Sequence, residues 1–291
     1  MDKPFVTCKI YGQIGNQLFQ IATTLAYAWD HDAVPFFPAL HNPAWRISYN
    51  KDRLFFRLNA SPPQRPFLHF FTEKNWCSSE KIPFQKDLVL DGYFQSWKHF
   101  HHHQDKLLTL FAPSDFTINY LQSKYRDLLK DPKTVGVHVR TQCKRTHDNG
   151  HHPFWGLDYY RRAIEQFSSD STFVIFSDRI NWCKKHFSKL GKNFVYIEGN
   201  HGIEDLFLLA QCKHNILCNS SFSWWAAYFN QNPDKKVIFP IHWKNANLHP
   251  NPVPEDFFLP DWTLIDCMPL QPFPTDMKFY DKESQCIDNN D

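Results

Sequence analysis

From Pro132 onward, short apolar segments alternate with stretches of helical spacing, and this alternation restricts the possible folds more than any other feature. Predicted strands at 135–139, 173–176, 194–197, 216–218 and 237–239 are separated by predicted helices at 157–167, 181–190, 203–212 and 222–230. Short apolar strands that alternate with helices indicate βαβ units and a parallel sheet. The sequence therefore predicts an α/β domain over residues 133–291.

The first 132 residues open with the same order of elements. An apolar run at 5–10 meets Gly12 and Gly15, and helical spacing follows from 17 to 29. Residues 35–83 are rich in proline and tryptophan without a clean period, which predicts loops and short elements, whereas 87–94 is predicted as a strand and 114–129 as one helix. We therefore predict a separate domain over 1–132, and an irregular tail over 269–291.

Composition supports two folded domains and argues against one class of partner. The chain has 291 residues and is 42% hydrophobic, with 28 Phe and ten Trp, so each half can bury its own core. Lys and Arg number 32 against 30 Asp and Glu, a net charge of +2. Nucleic-acid binders carry a one-sided basic excess, so we expect no nucleic-acid partner.

The spacing of the cysteines and the length of the apolar runs favour a cytoplasmic location. None of the eight Cys forms a C-x-x-C pair, no secretory apolar region follows Met1, and no run approaches the roughly 18 apolar residues of a spanning helix. We expect reduced thiols, no membrane anchor and a cytoplasmic location. The sequence does not indicate an oligomeric state.

The turn Gly12-Gln13-Ile14-Gly15-Asn16 is the first candidate binding site. Glycines let the backbone approach a ligand closely, and the start of the following helix offers N–H groups and positive potential to a phosphate. The G-x-G-x-x-G spacing of dinucleotide sites is absent. The alternative is a tight turn in which Asn16 is the helix N-cap.

His138 and Arg140 form the second candidate, at the end of the first strand of the second domain. Ligands of open parallel sheets bind beyond these strand ends, where Arg140 can hold a diphosphate and neutralise its charge as it departs. His138 points to the same side of the strand. The alternative is an arginine in an ordinary surface ion pair beside a buried core histidine.

The third candidate is the polar turn Cys218-Asn219-Ser220-Ser221-Phe222-Ser223, again between a strand and a helix. Hydroxyls and free N–H groups at a helix start can hold an anion, and Phe222 can lie on a flat base. The alternative makes Ser221 an N-cap. For the adjoining Trp224 and Trp225 we expect core packing.

Isolated polar residues give weaker predictions. Asp178 ends a predicted strand and can accept two N–H donors of a guanine edge, or else cap the helix that begins near Ile180. Asp205 is predicted to lie in the first turn of a helix. Neighbouring side chains point apart, so the row His101-His102-His103 is interpreted as a solvated cluster rather than a metal site.

Five motifs in order resemble glycosyltransferase family 11, the α-1,2-fucosyltransferases, within a wider superfamily that includes α-1,6- and protein O-fucosyltransferases. The match runs from about Tyr11 to Trp243. The motifs are G-Q-I-G-N-Q-L-F-Q at 12–20, G-Y-F-Q-S at 92–96, H-V-R at 138–140, F-S-D at 176–178 and N-S-S-F-S-W-W at 219–225.

This resemblance implies a fold and a reaction. The fold is GT-B-like, with two Rossmann-type parallel-sheet domains and a cleft between them, an acceptor-side domain first and a GDP-fucose-binding domain second. The reaction is an inverting transfer of L-fucose from GDP-β-L-fucose to a glycan hydroxyl, most simply the 2-hydroxyl of galactose. No metal cofactor is implied, and no D-x-D carboxylate pair stands at a predicted strand end.

The resemblance also assigns roles to residues. The catalytic residues that it implies are Arg140, which binds the β-phosphate and assists its departure, and Asn16, which lies near the phosphate and sugar. His138 lies near Arg140, and Asp178 reads guanine. The remaining donor-binding residues are Gly12, Gly15, Asn219, Ser220, Ser221, Phe222 and Ser223. No spacing selects a general base among Asp30, His41 and Asp91.

Two motifs depart from the family pattern. The family continues H-x-R-R-G-D-Y, but this chain reads Thr141-Gln142-Cys143-Lys144 after Arg140, and the second Asp of F-S-D-D is replaced by Arg179. These changes leave open a catalytically silent GDP-sugar or glycan-binding protein, or a fucosyltransferase of different linkage. An unrelated enzyme with Cys143 as nucleophile and His147 as base has no supporting spacing.

Overall fold

The predicted alternation of strands and helices forms two parallel sheets. The structure is a computed structural model that describes residues 3–141, 152–244, 251 and 253–267. Every strand pair in these ranges is parallel. The predicted α/β fold class is therefore confirmed.

The first sheet has the strand order β2-β1-β4-β3. Its strands are β1 (Phe5–Cys8), β2 (Val34–Pro35), β3 (His69–Thr72) and β4 (Leu88–Asp91). The accompanying helices are α1 (Ile14–Asp30), α2 (Ile47–Arg53) and α3 (Gln104–Leu110), with 3₁₀ turns at Pro38–His41, Ala44–Arg46, Trp97–His99 and His101–His103. The sequence predicts β1, β4 and α1; it places only unspecified short elements in the region of α2 and β3, and it misses β2 and α3.

Two helices follow where the sequence predicts one. They are α4 (Asp115–Lys124) and α5 (Arg126–Lys130), and the helix breaks at Tyr125, whose φ of −123° is not helical. The last residue of α4 and the residue at the break contact the same partner. Lys124 Nζ and Tyr125 Oη both donate to Asn200 Oδ1, at 2.8 and 2.9 Å.

The second sheet has the order β10-β9-β8-β5-β6-β7. Its strands are β5 (Thr134–Val139), β6 (Thr172–Ser177), β7 (Asn193–Tyr196), β8 (His214–Ile216), β9 (Val237–Pro240) and β10 (Thr263–Ile265). The helices are α6 (Gly156–Ile164), α7 (Ile180–Phe187), α8 (Gly202–Gln211) and α9 (Ser221–Phe229), with a 3₁₀ turn at Ser188–Leu190. All predicted strands and helices of this half are present, and β10 is additional.

The order of these strands fixes where a ligand can bind. From β5 the chain builds outward through β6 to β7, and then α8 returns it to β8 on the other side of β5. The direction in which successive strands are added therefore reverses between β5 and β8. In open α/β sheets, ligands bind beyond the carboxyl ends of the strands at such a reversal of strand order.

The chain divides into two compact units whose limits differ from the predicted 1–132 and 133–291. Unit 1 comprises Met1–Ile118 and Pro254–Pro260, and unit 2 comprises Asn119–Val253 and Asp261–Asp291. The hydrogen bonds from Lys124 and Tyr125 to Asn200 explain why 119–132 belongs with unit 2. The 3₁₀ turn Glu255–Phe257 belongs with unit 1.

Each unit has its own buried core. In unit 2, the fully buried Val135, Val137 and Val139 of β5 pack with Tyr159 and Tyr160 of α6. Neither unit, within the described ranges, contains a helix with the length and apolar character needed to cross a membrane.

Candidate functional site

Arg140 stands at the reversal of strand order in the second sheet, directly after β5. Its Nη1 donates to Ser220 Oγ at 3.3 Å. Ser220 is the N-cap of α9, with extended backbone (φ −141°, ψ 122°), and its side chain makes no capping hydrogen bond. A fixed guanidinium and the positive end of a helix thus lie side by side, which favours binding of an anion.

His138 is a buried neutral imidazole beside this arginine. Its Nδ1 lies 3.2 Å from Cys218 Sγ, and its ring centroid lies 5.2 Å from that of Phe222. Burial, and then the charge of Arg140, lower the pKa of His138 to about 3. The environment matches the alternative of a buried core histidine, so His138 adds no positive charge at neutral pH, and its role in donor binding stays a prediction.

The turn after β8 separates residues that hold the backbone from residues that a ligand can reach. Asn219 Nδ2 donates to the carbonyl oxygens of Pro153 (3.0 Å) and Trp243 (3.3 Å), and Ser223 Oγ donates to Ser220 O at 3.1 Å. Asn219 and Ser223 are buried, whereas Ser221 and Phe222 are partly exposed. We therefore expect Asn219 and Ser223 to shape the turn.

The start of α9 and the burial of its two tryptophans bear on two predictions from the sequence. The N-cap is Ser220, so the alternative that Ser221 is the N-cap is wrong; Ser221 is the first helical residue. Trp224 and Trp225 are fully buried, so their predicted core packing is confirmed.

Asp178 fixes the exit of the chain from β5. Its Oδ1 accepts hydrogen bonds from Thr141 N at 2.9 Å and from Thr141 Oγ1 at 3.1 Å. The N-cap of α7 is Arg179, so the alternative that Asp178 caps this helix is wrong. Asp178 thereby positions the residue next to Arg140, and its reading of guanine stays a prediction.

Asp205 is a second carboxyl at the carboxyl edge of this sheet, in the first turn of α8 as predicted. Its Oδ1 accepts from Asn200 Nδ2 at 2.8 Å. Burial raises the pKa of Asp205 to about 6, and the Asn200 hydrogen bond offsets only part of this rise. Perturbed carboxyls at a ligand-binding edge are candidates for function. Sequence reasoning missed this pKa shift because the partial burial of Asp205 is set by tertiary packing and leaves no local signal.

A cavity of about 580 Å³ lies beside α4 and α5, lined in part by Lys124, Tyr125 and Asp131. It is bordered by none of the residues that the sequence predicts for the site. The candidate site is therefore defined by the charged and polar groups around Arg140 and not by this cavity.

In unit 1 the glycine turn is built around Asn16. Gly12 has φ +77°, and a Cβ there would stand 2.5 Å from Asn16 Nδ2, so a larger residue cannot fit without displacement. α1 begins at Ile14 with Gln13 as N-cap, so the alternative that Asn16 is the N-cap is wrong. Asn16 and the buried Gly15 both lie in the first turn of α1.

The G-Y-F-Q-S segment orients Asn16. Gln95 Nε2 donates to Asn16 Oδ1 at 2.9 Å. The segment itself is fixed by Glu73, whose Oε2 accepts from the N–H groups of Tyr93 (2.7 Å) and Phe94 (3.0 Å). A Cβ at Gly92 would lie 2.4 Å from Glu73 Cβ. The second motif therefore positions the side chain supplied by the first.

The histidine row differs from the predicted solvated cluster in one respect. His102 Nε2 and His103 Nε2 both contact the carboxylate of Asp30, at 3.0 and 2.8 Å, whereas His101 packs edge-on against Trp97. The ligand atoms of Asp30, His102 and His103 lie within 4.8 Å of one another, so they could hold a metal ion. The direct His–Asp hydrogen bonds are sufficient to explain the arrangement.

The remaining residues that the sequence analysis singles out are a candidate base in unit 1 and the segment after Arg140. Asp91, one of the carboxyls considered as a base, forms an ion pair with Lys9 at 2.7 Å. Gln142, Cys143, Lys144 and His147 lie outside the described residues.

The model of glycosyl transferase family 11 matches residues 2–266 of the chain. Galactoside alpha-(1,2)-fucosyltransferase 2 of Hylobates lar is 30% identical over 292 residues, which cover 91% of this chain and 80% of that protein. Two Escherichia coli proteins match over shorter stretches. The alpha-1,2-colitosyltransferase is 30% identical over 52% of this chain and 54% of its own length. The O-antigen biosynthesis glycosyltransferase WbnK is 28% identical over 62% and 63%.

The match therefore spans less than two thirds of each bacterial relative. Among solved structures, fucosyltransferase NodZ from Bradyrhizobium superposes with a TM-score of 0.52 at 12% identity, over 78% of this chain and 92% of that one. At this identity the similarity establishes the fold.

Proposed function

Because this chain belongs to glycosyl transferase family 11, we propose that it transfers L-fucose from GDP-β-L-fucose to the 2-hydroxyl of a galactoside. The linkage and the acceptor sugar rest on the relative named galactoside alpha-(1,2)-fucosyltransferase 2, which aligns with 91% of the chain. The donor is supported by a solved NodZ structure of similar fold, described as soaked with GDP-fucose.

The observation that carries the proposal is the Arg140–Ser220 pair at the reversal of strand order. A GDP leaving group carries its negative charge on the β-phosphate. The guanidinium stays protonated at all relevant pH values, and the N–H groups of the first turn of α9 are directed at the same place. This is the charge distribution that the departing diphosphate requires.

The transfer is a single displacement with inversion. The acceptor hydroxyl oxygen forms a bond to C1 of fucose while the bond from C1 to the β-phosphate oxygen breaks. GDP leaves with the electron pair, and the hydroxyl proton passes to a base or to a phosphate oxygen. Arg140 and the α9 N-terminus stabilise charge that grows in the transition state. No metal ion is needed for this charge neutralisation.

Asn16 of unit 1 stays a predicted donor-binding residue. Gln95 Nε2 donates to its carbonyl oxygen, which fixes the orientation of the amide. Because an amide is neither acid nor base at physiological pH, we propose that Asn16 positions the donor and does not move a proton.

Transfer in the presence of EDTA tests the proposal. Purified protein, GDP-fucose and lactose should yield a fucosylated product, and NMR of that product should show an α-1,2 linkage to galactose. Absence of both transfer and donor hydrolysis in EDTA, with activity restored by a divalent ion, would show the metal-free mechanism to be wrong. A 3- or 6-linked product would refute the proposed linkage.

A variant pair tests the role of Arg140. Arg140→Ala should lower kcat by a few hundredfold, corresponding to the loss of about 3 to 4 kcal/mol of transition-state stabilisation. Arg161→Ala is the matched control, because Arg161 forms exposed ion pairs with Asp158 on α6 and with Glu165, the residue after this helix. A loss below tenfold for Arg140→Ala would exclude the proposed role.

A second candidate keeps the linkage and changes the sugar. The alpha-1,2-colitosyltransferase of Escherichia coli is 30% identical over 52% of this chain. The ratio of kcat/KM for GDP-colitose to that for GDP-fucose decides between the two donors.

A further inference from the structure

The segment before α2 contains an unusual backbone conformation. Trp45 (φ 55°, ψ 23°) and Arg46 (φ 56°, ψ 26°) both adopt the left-handed conformation. Bulky residues rarely do so, and each instance costs on the order of 1–3 kcal/mol. Two such residues in succession persist only if the surrounding structure holds them, and backbone strain of this kind concentrates at ligand-binding positions.

A buried glutamine supplies that support. Gln17 is fully buried in the first turn of α1, and its Nε2 donates both to Trp45 O at 3.0 Å and to Gly12 O at 2.8 Å. Its Oε1 accepts from Asn50 Nδ2 at 2.8 Å. The strained turn is therefore tied to the glycine turn that carries Asn16, one residue before Gln17 in the sequence.

The side chains of the strained pair have different surroundings. The Arg46 guanidinium lies over the ring of Tyr49, 4.3 Å from its centroid. The Trp45 side chain is 51% exposed, and it makes no ring contact with another aromatic residue in the described ranges. The other three tryptophans of unit 1 have aromatic neighbours: Trp29 contacts His103, Trp76 packs against Phe257, and Trp97 packs against His101.

We propose that the indole of Trp45 is the platform on which the acceptor sugar stacks. A pyranose ring has a face of C–H groups that packs on a flat aromatic surface, whereas its hydroxyls need donors and acceptors at the rim. The hydrogen bonds from Gln17 hold the backbone of Trp45 beside the Gly12 turn, in the unit that also carries Asn16. The inference rests on the proposed function, since it assigns the acceptor side of that reaction to a residue.

Trp45→Gly separates a binding role from a structural one. Glycine adopts φ 55° without strain, so removal of the indole should leave Tm unchanged or raise it. If the ring binds the acceptor, kcat/KM for lactose should fall about tenfold or more through KM, while hydrolysis of GDP-fucose without acceptor stays within about twofold of the wild-type rate. Trp45→Phe keeps an aromatic face and should recover most of the loss.

Phe70→Ala is the control, because Phe70 is another exposed aromatic side chain of unit 1, on the edge strand β3. It should leave both kinetic parameters unchanged. Equal loss of lactose kcat/KM in Trp45→Gly and Phe70→Ala, or no loss in Trp45→Gly, would overturn the proposal.

A binding measurement keeps this inference separate from the proposed function. In protein labelled with 5-fluorotryptophan, the Trp45 resonance is assigned by its disappearance in Trp45→Phe. Titration with methyl β-D-galactoside and with lactose should shift that ¹⁹F resonance in a saturable way, even if no transfer is detected. If transfer occurs but the resonance does not move at saturating lactose, the acceptor site is elsewhere and the inference is wrong.

Discussion

Gly12 is a residue at which backbone angle and crowding act together. Its φ is +77°, and an added Cβ would stand 2.5 Å from Asn16 Nδ2. Gly191 also has positive φ (+63°), but no atom lies within 4 Å of the position of its Cβ. Alanine at either position meets the left-handed penalty of about 1 kcal/mol. Only Gly12→Ala also displaces a predicted site residue.

We therefore expect Gly12→Ala to lower the free energy of unfolding by about 2 to 4 kcal/mol and Gly191→Ala by about 1 kcal/mol. Denaturant unfolding measures both. The kinetic effects should differ more, because Gly12→Ala moves Asn16 and should reduce transfer sharply. Equal activity in the two variants would show that the position of Asn16 does not matter.

Asp205 makes stability depend on pH. Its pKa is raised by burial from 3.8 to about 6, so between these values the folded protein binds a proton that the unfolded chain lacks. The free energy of unfolding contributed by this group therefore falls as pH rises from about 4 to 6, and it stays low above pH 6. An asparagine side chain cannot ionise, so the Asp205→Asn replacement removes this loss.

Accordingly, Asp205→Asn should be more stable than the wild type by roughly 2 to 3 kcal/mol at pH 7 and equal to it below about pH 4, as measured by urea unfolding at several pH values. Asp127→Asn on α5 is the control for an exposed carboxyl, with a change of less than about 0.5 kcal/mol. A constant difference between wild type and Asp205→Asn across this pH range would contradict the assignment.

At the scale of elements, two buried asparagines join α8, β8 and α9. Asn215 Nδ2 donates to Leu209 O at 2.8 Å, and Asn230 Nδ2 donates to Asn215 Oδ1 at 2.8 Å and to Cys212 O at 2.9 Å. Replacement of Asn215 by leucine removes one hydrogen-bond partner from the carbonyl oxygen of Leu209 and one from the side-chain amide of Asn230. Each such group costs about 1–3 kcal/mol.

We expect Asn215→Leu to lower the free energy of unfolding by about 2 to 4 kcal/mol in urea. Asn193→Ala serves as the comparison, because Asn193 is exposed and its side chain donates to Thr172 Oγ1 at 3.0 Å. Its loss should stay below about 1 kcal/mol. If both variants lose a similar amount of unfolding free energy, the hydrogen bonds of Asn215 and Asn230 do not stabilise the packing of α8, β8 and α9.

Most of the strands that the sequence predicts are buried on both faces. All six residues of β5 are buried, and such strands read as continuous apolar runs. β3 is an edge strand with three of four residues exposed, and β2 has two residues, so neither leaves a pattern in the sequence. The break between α4 and α5 depends on Asn200, which is 75 residues from Tyr125 along the chain.

At the scale of the whole molecule, motifs name candidate site residues, but the contacts that these residues make join distant segments of the chain. The sequence predicts that Arg140 ends a strand, and the structure adds its contact with Ser220, 80 residues later. It does not reveal that Asn219 and Ser223 hold backbone, that the pKa of Asp205 is raised, or that Trp45 is strained. Burial and backbone angles at these positions are set by tertiary packing, which no local pattern records.

The same dependence on distant segments appears where the chain returns to unit 1 at Pro254–Pro260. Phe257 is fully buried there; its ring lies 6.3 Å from that of Phe19 on α1 and 6.1 Å from that of Trp76. Asp256, the residue before it, forms an ion pair with Lys98. This segment should therefore stabilise unit 1, although most of the chain between it and Ile118 belongs to unit 2.

Phe257→Ala should cost about 3–5 kcal/mol, the usual loss for a buried phenylalanine, and the loss should appear in unit 1. Amide hydrogen exchange of α1 should accelerate, while β5 and β8 keep their protection. Phe239→Ala is the reciprocal control, because Phe239 is equally buried in β9 of unit 2 and stacks 6.0 Å from Trp243. That variant should expose the amides of β8 and leave α1 protected. If both variants accelerate exchange equally in both units, the return segment does not act on unit 1 separately, and the chain unfolds as one cooperative body.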